Sequence, residues 1–248
     1  MAISLKPVGE QVIVITGASS GIGLATAEMA AEEGAKLILA APSEDALDGF
    51  AARLSRNGAE AMALDTDVGD RAEMEQIALA AIERFGRIDT WVNNAGLTIP
   101  GRLTEVGDAD CRKLFETNFW GVVYGSLVAL HHMRANGGAI INLGGDITDA
   151  MTELPGMYLA SKQAVKGFTK ALRVEVEDMD RAPVAVTLLS VEATEPTQVA
   201  AAILKAAAAQ PPSDGKPRGV SKIDTTAAKV LPKVDEKVAA KIANKNGR

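Results

Sequence analysis

Residues Thr16 to Gly23 read Thr-Gly-Ala-Ser-Ser-Gly-Ile-Gly, directly after the apolar run Val12-Ile13-Val14-Ile15 and before the helix-like stretch Leu24 to Glu33. A strand, a glycine turn and a helix start in that order constrain the fold more than any other segment. The turn must bring backbone amides and the positive end of a helix close to a pyrophosphate with no Cβ in the way. Gly17, Ser19, Ser20, Gly21, Ile22 and Gly23 are therefore candidate cofactor-binding residues. Taken alone, the segment leaves open a tight strand-to-helix turn without a ligand.

Further strand-like apolar runs follow at Leu37–Ala41, Ala61–Leu64, Thr90–Val92, Ala139–Leu143 and Val184–Leu189, separated by stretches long enough for helices. Alternation of this kind predicts an α/β fold: a doubly wound, Rossmann-type parallel sheet in a three-layer α/β/α arrangement. Such sheets bind ligands beyond the carboxyl ends of their strands. At those ends the chain carries Asp65-Thr66-Asp67-Val68, Asn93-Asn94-Ala95-Gly96 and Asn142-Leu143-Gly144-Gly145.

The 248 residues suit one large α/β domain, with residues 196–248 as an atypical C-terminal part. No apolar run approaches the roughly 18 residues of a membrane span and the N-terminus holds the glycine turn in place of a secretion signal, so a cytoplasmic protein is expected. The lone cysteine, Cys111, allows no internal disulfide and reads as a packing residue. Net charge is −6, but residues 205–248 hold ten Lys and Arg against four Asp and Glu. The preceding body is thus more acidic than the whole. In the tail Lys233, Lys237, Lys241 and Lys245 recur beside Val234, Val238 and Ile242, the pattern of one amphipathic helix. Packing on its own domain is the expected role; an anionic surface is the alternative. No nucleic-acid partner is expected, since no aromatic residue interleaves the lysines to stack on bases.

Tyr158 and Lys162 are four apart in a helix-like stretch running to about Met179, which places phenol and ammonium on one face. A free phenol ionises near pH 10, and a neighbouring cation favours the phenolate, making the pair a workable proton donor and acceptor. With the glycine turn, the Asn-Asn-Ala-Gly segment and this Tyr-x-x-x-Lys pair in order, the chain from about Gln11 to about Leu189 resembles the short-chain dehydrogenase/reductase family. The resemblance implies hydride transfer between a nicotinamide and the carbon of a small carbonyl or alcohol substrate. It makes Tyr158 the general acid/base and Lys162 the residue that holds the nicotinamide ribose and lowers the tyrosine pKa. Asn118, within Thr117-Asn118-Phe119-Trp120-Gly121, would anchor a relay water. Asp67 and Val68 would face the adenine, and Asn94, Ala95 and Gly96 would pass behind its ribose. A homodimer or homotetramer through the helices spanning Asp110–Ala135 and Tyr158–Met179 is also implied.

The departures from the family pattern are informative. A serine is usual thirteen residues before the tyrosine, where it donates to the substrate oxygen; here that position is Gly145, after Gly144. Losing one such donor typically costs about 10²–10³ in turnover. Thr148 is a better stand-in than Asp146, because a hydroxyl donates and a carboxylate repels an alkoxide. Glu192 replaces the glycine of the family's Pro-Gly turn and the substrate lid looks deleted, so a reductase with a rebuilt pocket and a non-catalytic nucleotide-binding or scaffold relative both stand. At the end of the second strand Ala41 and Pro42 take the places of the usual acid and arginine. Without a carboxylate to repel a 2′-phosphate, and with Ser43 able to donate to it, NADP is favoured over NAD. No metal site is expected from His131 and His132, the chain's only histidines. Trp91, Trp120 and Tyr124 are expected to pack. A seventh strand near Arg218–Val220 is barely written.

Overall fold

The computed structural model describes residues 5–42, 44–145, 156–179, 183–190 and 195–208, without the side chains of 44–46. Backbone contacts divide the chain into two units, and these residues belong to the first, Met1–Pro211. The readings placed on Ser43, Asp146, Thr148, Glu192, the seventh strand and the amphipathic tail lie outside the described residues.

Six strands form one parallel sheet: β1 (Val12–Thr16), β2 (Lys36–Ala41), β3 (Ala61–Asp65), β4 (Thr90–Asn93), β5 (Gly138–Gly144) and β6 (Val184–Ser190), in the order β3-β2-β1-β4-β5-β6. The helices between them are α1 (Gly21–Glu32), α2 (Glu44–Arg56), α3 (Arg71–Phe85), α4 (Asp108–Phe115), α5 (Gly121–Met133), α6 (Gly156–Asp178) and α7 (Pro196–Ala208). The doubly wound expectation holds. Strand order reverses between β1 and β4, where crossovers leave in opposite directions and open a crevice at the carboxyl ends.

Strand residues alternate between two apolar layers. Ile13, Ile15, Leu37, Leu39, Val92 and Ile141 pack under α1, α2 and α7, whereas Val12, Val14, Ile38, Trp91 and Ile140 pack under α3, α5 and α6. Burial on both faces explains why β1 and β2 are continuous apolar runs without a polar alternate. Trp120 packs against Tyr124, with ring centroids 5.7 Å apart, while remaining 45% exposed, and Cys111 is partly buried. His132 pairs with Glu75 across α3 and α5 at 2.6 Å.

The sheet's amino end is tied by Asp89, whose carboxylate accepts from Lys6 Nζ at 2.7 Å, from the Val12 amide at 2.9 Å and from Arg87 Nε at 2.8 Å. Burial pushes this carboxyl up, but the three donors outweigh it and hold it below the ordinary carboxylate range. A depressed folded-state pKa gives stability that is present above the unfolded value and lost as pH falls through the folded one. Asp89→Asn should therefore lower Tm at pH 7, and the gap to the parent should narrow as pH falls from about 5 to 3. Parallel Tm curves across that window would remove Asp89 as a source of acid sensitivity.

Candidate active site

The glycine turn is built to expose backbone. Gly17 and Gly21 have φ of 65° and 52°, in the left-handed region that favours glycine. A Cβ at Gly17 would lie 2.7 Å from Ala95 Cα, so the β4 loop approaches as closely as it does only because no side chain intervenes. Asn94 braces this approach, donating through Nδ2 to the Thr16 and Gly17 carbonyls at 2.9 and 3.0 Å. Thr16 Oγ1 accepts from the Asn94 and Ala95 amides. At the start of α1, Ser20 occupies the N-cap position with no side-chain capping bond, leaving first-turn amides open to the crevice.

The crevice is a cleft of about 500 Å³. Of the sequence-predicted residues, Gly17, Ser19, Ser20, Gly21, Ile22, Asp67, Val68, Asn94, Ala95, Gly96, Tyr158 and Lys162 all line it. Gly23 and Asn118 are not among the lining residues. Gly23 acts one layer back: a Cβ there would sit 2.2 Å from the Gly17 carbonyl oxygen. Ala41 and Pro42 line the cleft at the end of β2 and offer neither an acid nor a guanidinium. Lys113 and Thr117, which sequence reasoning missed, complete the wall. Lys113 Nζ bonds Asp67 at 2.7 Å while the Gly69 amide donates to the other oxygen, and the lysine contact leads in holding the Asp67 carboxyl below its usual range.

Helix α6 carries the pair singled out for proton chemistry. Lys162 is 6% exposed; its Nζ donates to the Leu143 carbonyl at 3.1 Å and lies 5.6 Å from the centroid of the Tyr158 ring. Burial lowers the ammonium pKa to about 8. Burial also pushes the Tyr158 phenol up, so the expected lowering by the lysine is not what this geometry produces.

Asn118 is fully buried in a π-helical turn, Glu116–Trp120, that joins α4 to α5. Its Nδ2 donates to the Leu97 carbonyl at 2.8 Å and to Ser161 Oγ at 3.1 Å, and its Oδ1 accepts from the Leu97 amide at 2.6 Å. Both amide hydrogens are thus committed to holding the β4 loop against α6. At the end of β5 the two glycines differ. A Cβ on Gly144 would meet Leu188 Cδ1 at 2.7 Å, whereas among the described residues one on Gly145 would meet Lys162 Cβ and Cγ, at 3.5 and 3.6 Å. A side chain at 144 would require Leu188 to shift, whereas among the described residues a Cβ at 145 meets ordinary contacts.

A glycine-lined cleft at the switch point, with a half-buried tyrosine and a buried lysine in its lining, has counterparts in known proteins. The sequence profile described as short chain dehydrogenase matches residues 11–208. The chain belongs to the short-chain dehydrogenase family. Within that family it is 46% identical over 189 residues to the uncharacterized oxidoreductase YxnA of Bacillus subtilis, covering 75% of this chain and 53% of that protein. It is 36% identical to the meso-2,3-butanediol dehydrogenase of Serratia marcescens, over 66% of this chain and 65% of that one. A crystal structure of a short chain dehydrogenase from Mycobacterium smegmatis superposes with a TM-score of 0.75 at 26% identity, over 84% of this chain and 90% of the other. The chain spans about half to two thirds of the length of these sequence relatives. Among the described residues, no helix is long and apolar enough to cross a membrane.

Proposed function

We propose that this short-chain dehydrogenase is an NAD(P)(H)-dependent oxidoreductase acting on a small carbonyl or alcohol, with Tyr158 as acid/base. The observation that carries the reading is the meeting of two sites in one cleft: the glycine turn with its uncapped helix start, and the Tyr158–Lys162 pair on α6. The residues present fit a dinucleotide: the start of α1 carries no side-chain cap at Ser20, and Gly21, which lines the cleft, leaves open space where a side chain would stand. A bound nicotinamide would supply or accept the hydride. In reduction the Tyr158 hydroxyl would give its proton to the substrate oxygen as the carbon is reduced, and in oxidation the phenolate would take that proton back. Lys162, buried and cationic below about pH 8, would hold the ribose of a bound nicotinamide.

NADP is favoured over NAD because Ala41 and Pro42 put no carboxylate near a 2′-phosphate. Residues 1–248 form a single domain in this reading, working in the cytoplasm as a homodimer or homotetramer. Trp120, Tyr124 and Leu127 form a part-exposed stripe on the helices expected to meet a second copy. Titration of the purified protein with NADPH and NADH, followed by nicotinamide fluorescence, tests the cofactor: tighter NADPH binding is expected, and binding of neither would make a non-catalytic relative the better reading.

The glycine at 145 bears on rate. Gly145→Ser should leave Tm within about 1 °C, because among the described residues the added Cβ meets Lys162 at ordinary contact distance. It should raise kcat for a carbonyl substrate by up to about 10², the typical worth of one oxyanion donor. An unchanged kcat would mean that another group already polarises the substrate oxygen.

A further inference from the structure

A run of buried hydrogen bonds joins helix α6 to the central strands. Asn93 and Asn142 are register partners on β4 and β5, and both side chains point toward α5 and α6. Trp91 Nε1 donates to Asn93 Oδ1 at 2.9 Å, and Asn93 Nδ2 donates to Asn142 Oδ1 at 2.8 Å and to Ser126 Oγ at 3.1 Å. Asn142 Nδ2 donates to Thr169 Oγ1 at 3.0 Å, and Thr169 passes its own hydrogen to the Val165 carbonyl at 2.8 Å. The indole can only donate, so Asn93 must turn its oxygen to Trp91 and its amide to Asn142; Asn142 must then turn its amide to Thr169. The polarity of the whole run is dictated from the Trp91 end, which leaves neither carboxamide free to flip.

Space is reserved for this run. A Cβ at Gly125 on α5 would lie 2.1 Å from Asn93 Oδ1 and 2.8 Å from Trp91 Nε1. Its ends reach the chemistry. Asn94, next after Asn93, braces the glycine turn, and Leu143, next after Asn142, supplies the carbonyl that holds Lys162. Thr169 lies two helical turns beyond Lys162, so the two share the buried stripe of α6 with Val165, Leu172 and Val176. Those three neighbours are apolar and hold the helix by contacts without direction. A slip of one residue would move α6 by about 1.5 Å and turn it by about 100°. Hydrogen bonds with a required distance and angle discriminate against even part of that movement.

We propose that the run Trp91–Asn93–Asn142–Thr169 is a positioning device for the Tyr158–Lys162 pair, setting the rotation and axial register of α6 against the strand ends that form the cofactor cleft. The proposal rests on the reading of Tyr158 as acid/base. Thr169→Val keeps the shape and removes the hydroxyl; Thr169→Ser keeps the hydroxyl. At a temperature well below both transitions, Thr169→Val should lower kcat by about tenfold to a hundredfold, the effect of misplacing a reacting group by a fraction of an ångström to one ångström. Its Kd for NADPH should stay within about threefold of the parent, and Thr169→Ser should restore kcat. Trp91→Phe, which removes the donor that sets the polarity, should lower kcat in the same manner and carries the test if Thr169→Val does not fold. Variants that lose only Tm while keeping kcat would reduce the run to a sheet staple and overturn the proposal. If the parent shows no turnover dependent on Tyr158, the activity reading fails, and the crystal structure of Thr169→Val then decides the positioning. Lys162 Nζ displaced beyond hydrogen-bond reach of the Leu143 carbonyl supports it; the bond retained near 3.1 Å overturns it.

Discussion

Tyr158→Phe is expected to cut turnover by about 10³, within the range typical of a positioned acid/base, while Kd for the cofactor changes by no more than about threefold. The phenyl ring keeps its place beside Lys162, so the fold and the cleft wall persist and only the transferable proton is lost. Burial places the phenol above its ordinary pKa in this geometry, which keeps it protonated and ready to act as an acid near neutrality. For the alcohol-oxidising direction the same shift is a hindrance, so oxidation by the parent should speed up as pH rises. Steady-state rates in both directions, with binding followed separately by fluorescence, check these expectations. Retention of more than about a tenth of parental kcat would mean that another group supplies the proton, and Lys162 would become the first candidate.

Gly23→Ala should be the most damaging single methyl in the chain for cofactor binding. The added carbon would lie 2.2 Å from the Gly17 oxygen, 2.6 Å from Asn94 Nδ2 and 2.9 Å from the Gly17 carbon. Two of the three are backbone atoms, so no side chain can swing away. The glycine turn would have to move off α1, breaking the Asn94 brace and withdrawing the amides that face the cleft. Overpacking of this kind typically costs about 1–3 kcal/mol of stability, and NADPH affinity should fall by about a hundredfold because the displaced atoms are those proposed to hold the cofactor. Gly49→Ala is the control: its Cβ would meet nothing within 4 Å, and both Tm and Kd should be unchanged or slightly improved. Equal Kd values for the two variants would show that the turn tolerates displacement.

Much of the site was legible because its signals are local. The Thr16–Gly23 segment announces strand, turn and helix within eight residues, and the strand-end residues Asp67, Asn94 and Gly96 follow once the strands are placed. What escaped was decided by partners far along the chain. Lys113 is 46 residues from Asp67, and nothing near it signals that α4 would lean over the cleft. Trp120 sits in an apolar run, and the π turn at Glu116–Trp120 rotates Asn118 inward and leaves the indole part-exposed. A π turn has no periodicity signature in five residues. The adjacent glycines 144 and 145 are indistinguishable in the sequence, and only the tertiary structure sets Leu188 of β6 against the first and the stem of Lys162 at ordinary contact distance from the second.

The sequence by itself determined the alternating apolar periods, the order of strands and helices and the left-handed glycines, and these rest on backbone sterics and burial that act over a few residues. From them followed a parallel sheet with its reactive residues at the carboxyl ends. Only the tertiary structure decided how the tyrosine and lysine titrate, because desolvation depends on everything packed around them: Lys162 comes down to about 8 and Tyr158 goes up where a lone pair on a helix would predict otherwise. The tertiary structure also decided which polar groups stay inside. Asn93, Ser126, Asn142 and Thr169 come from four different elements, and a buried polar atom is tolerated only when a partner arrives from elsewhere in the fold.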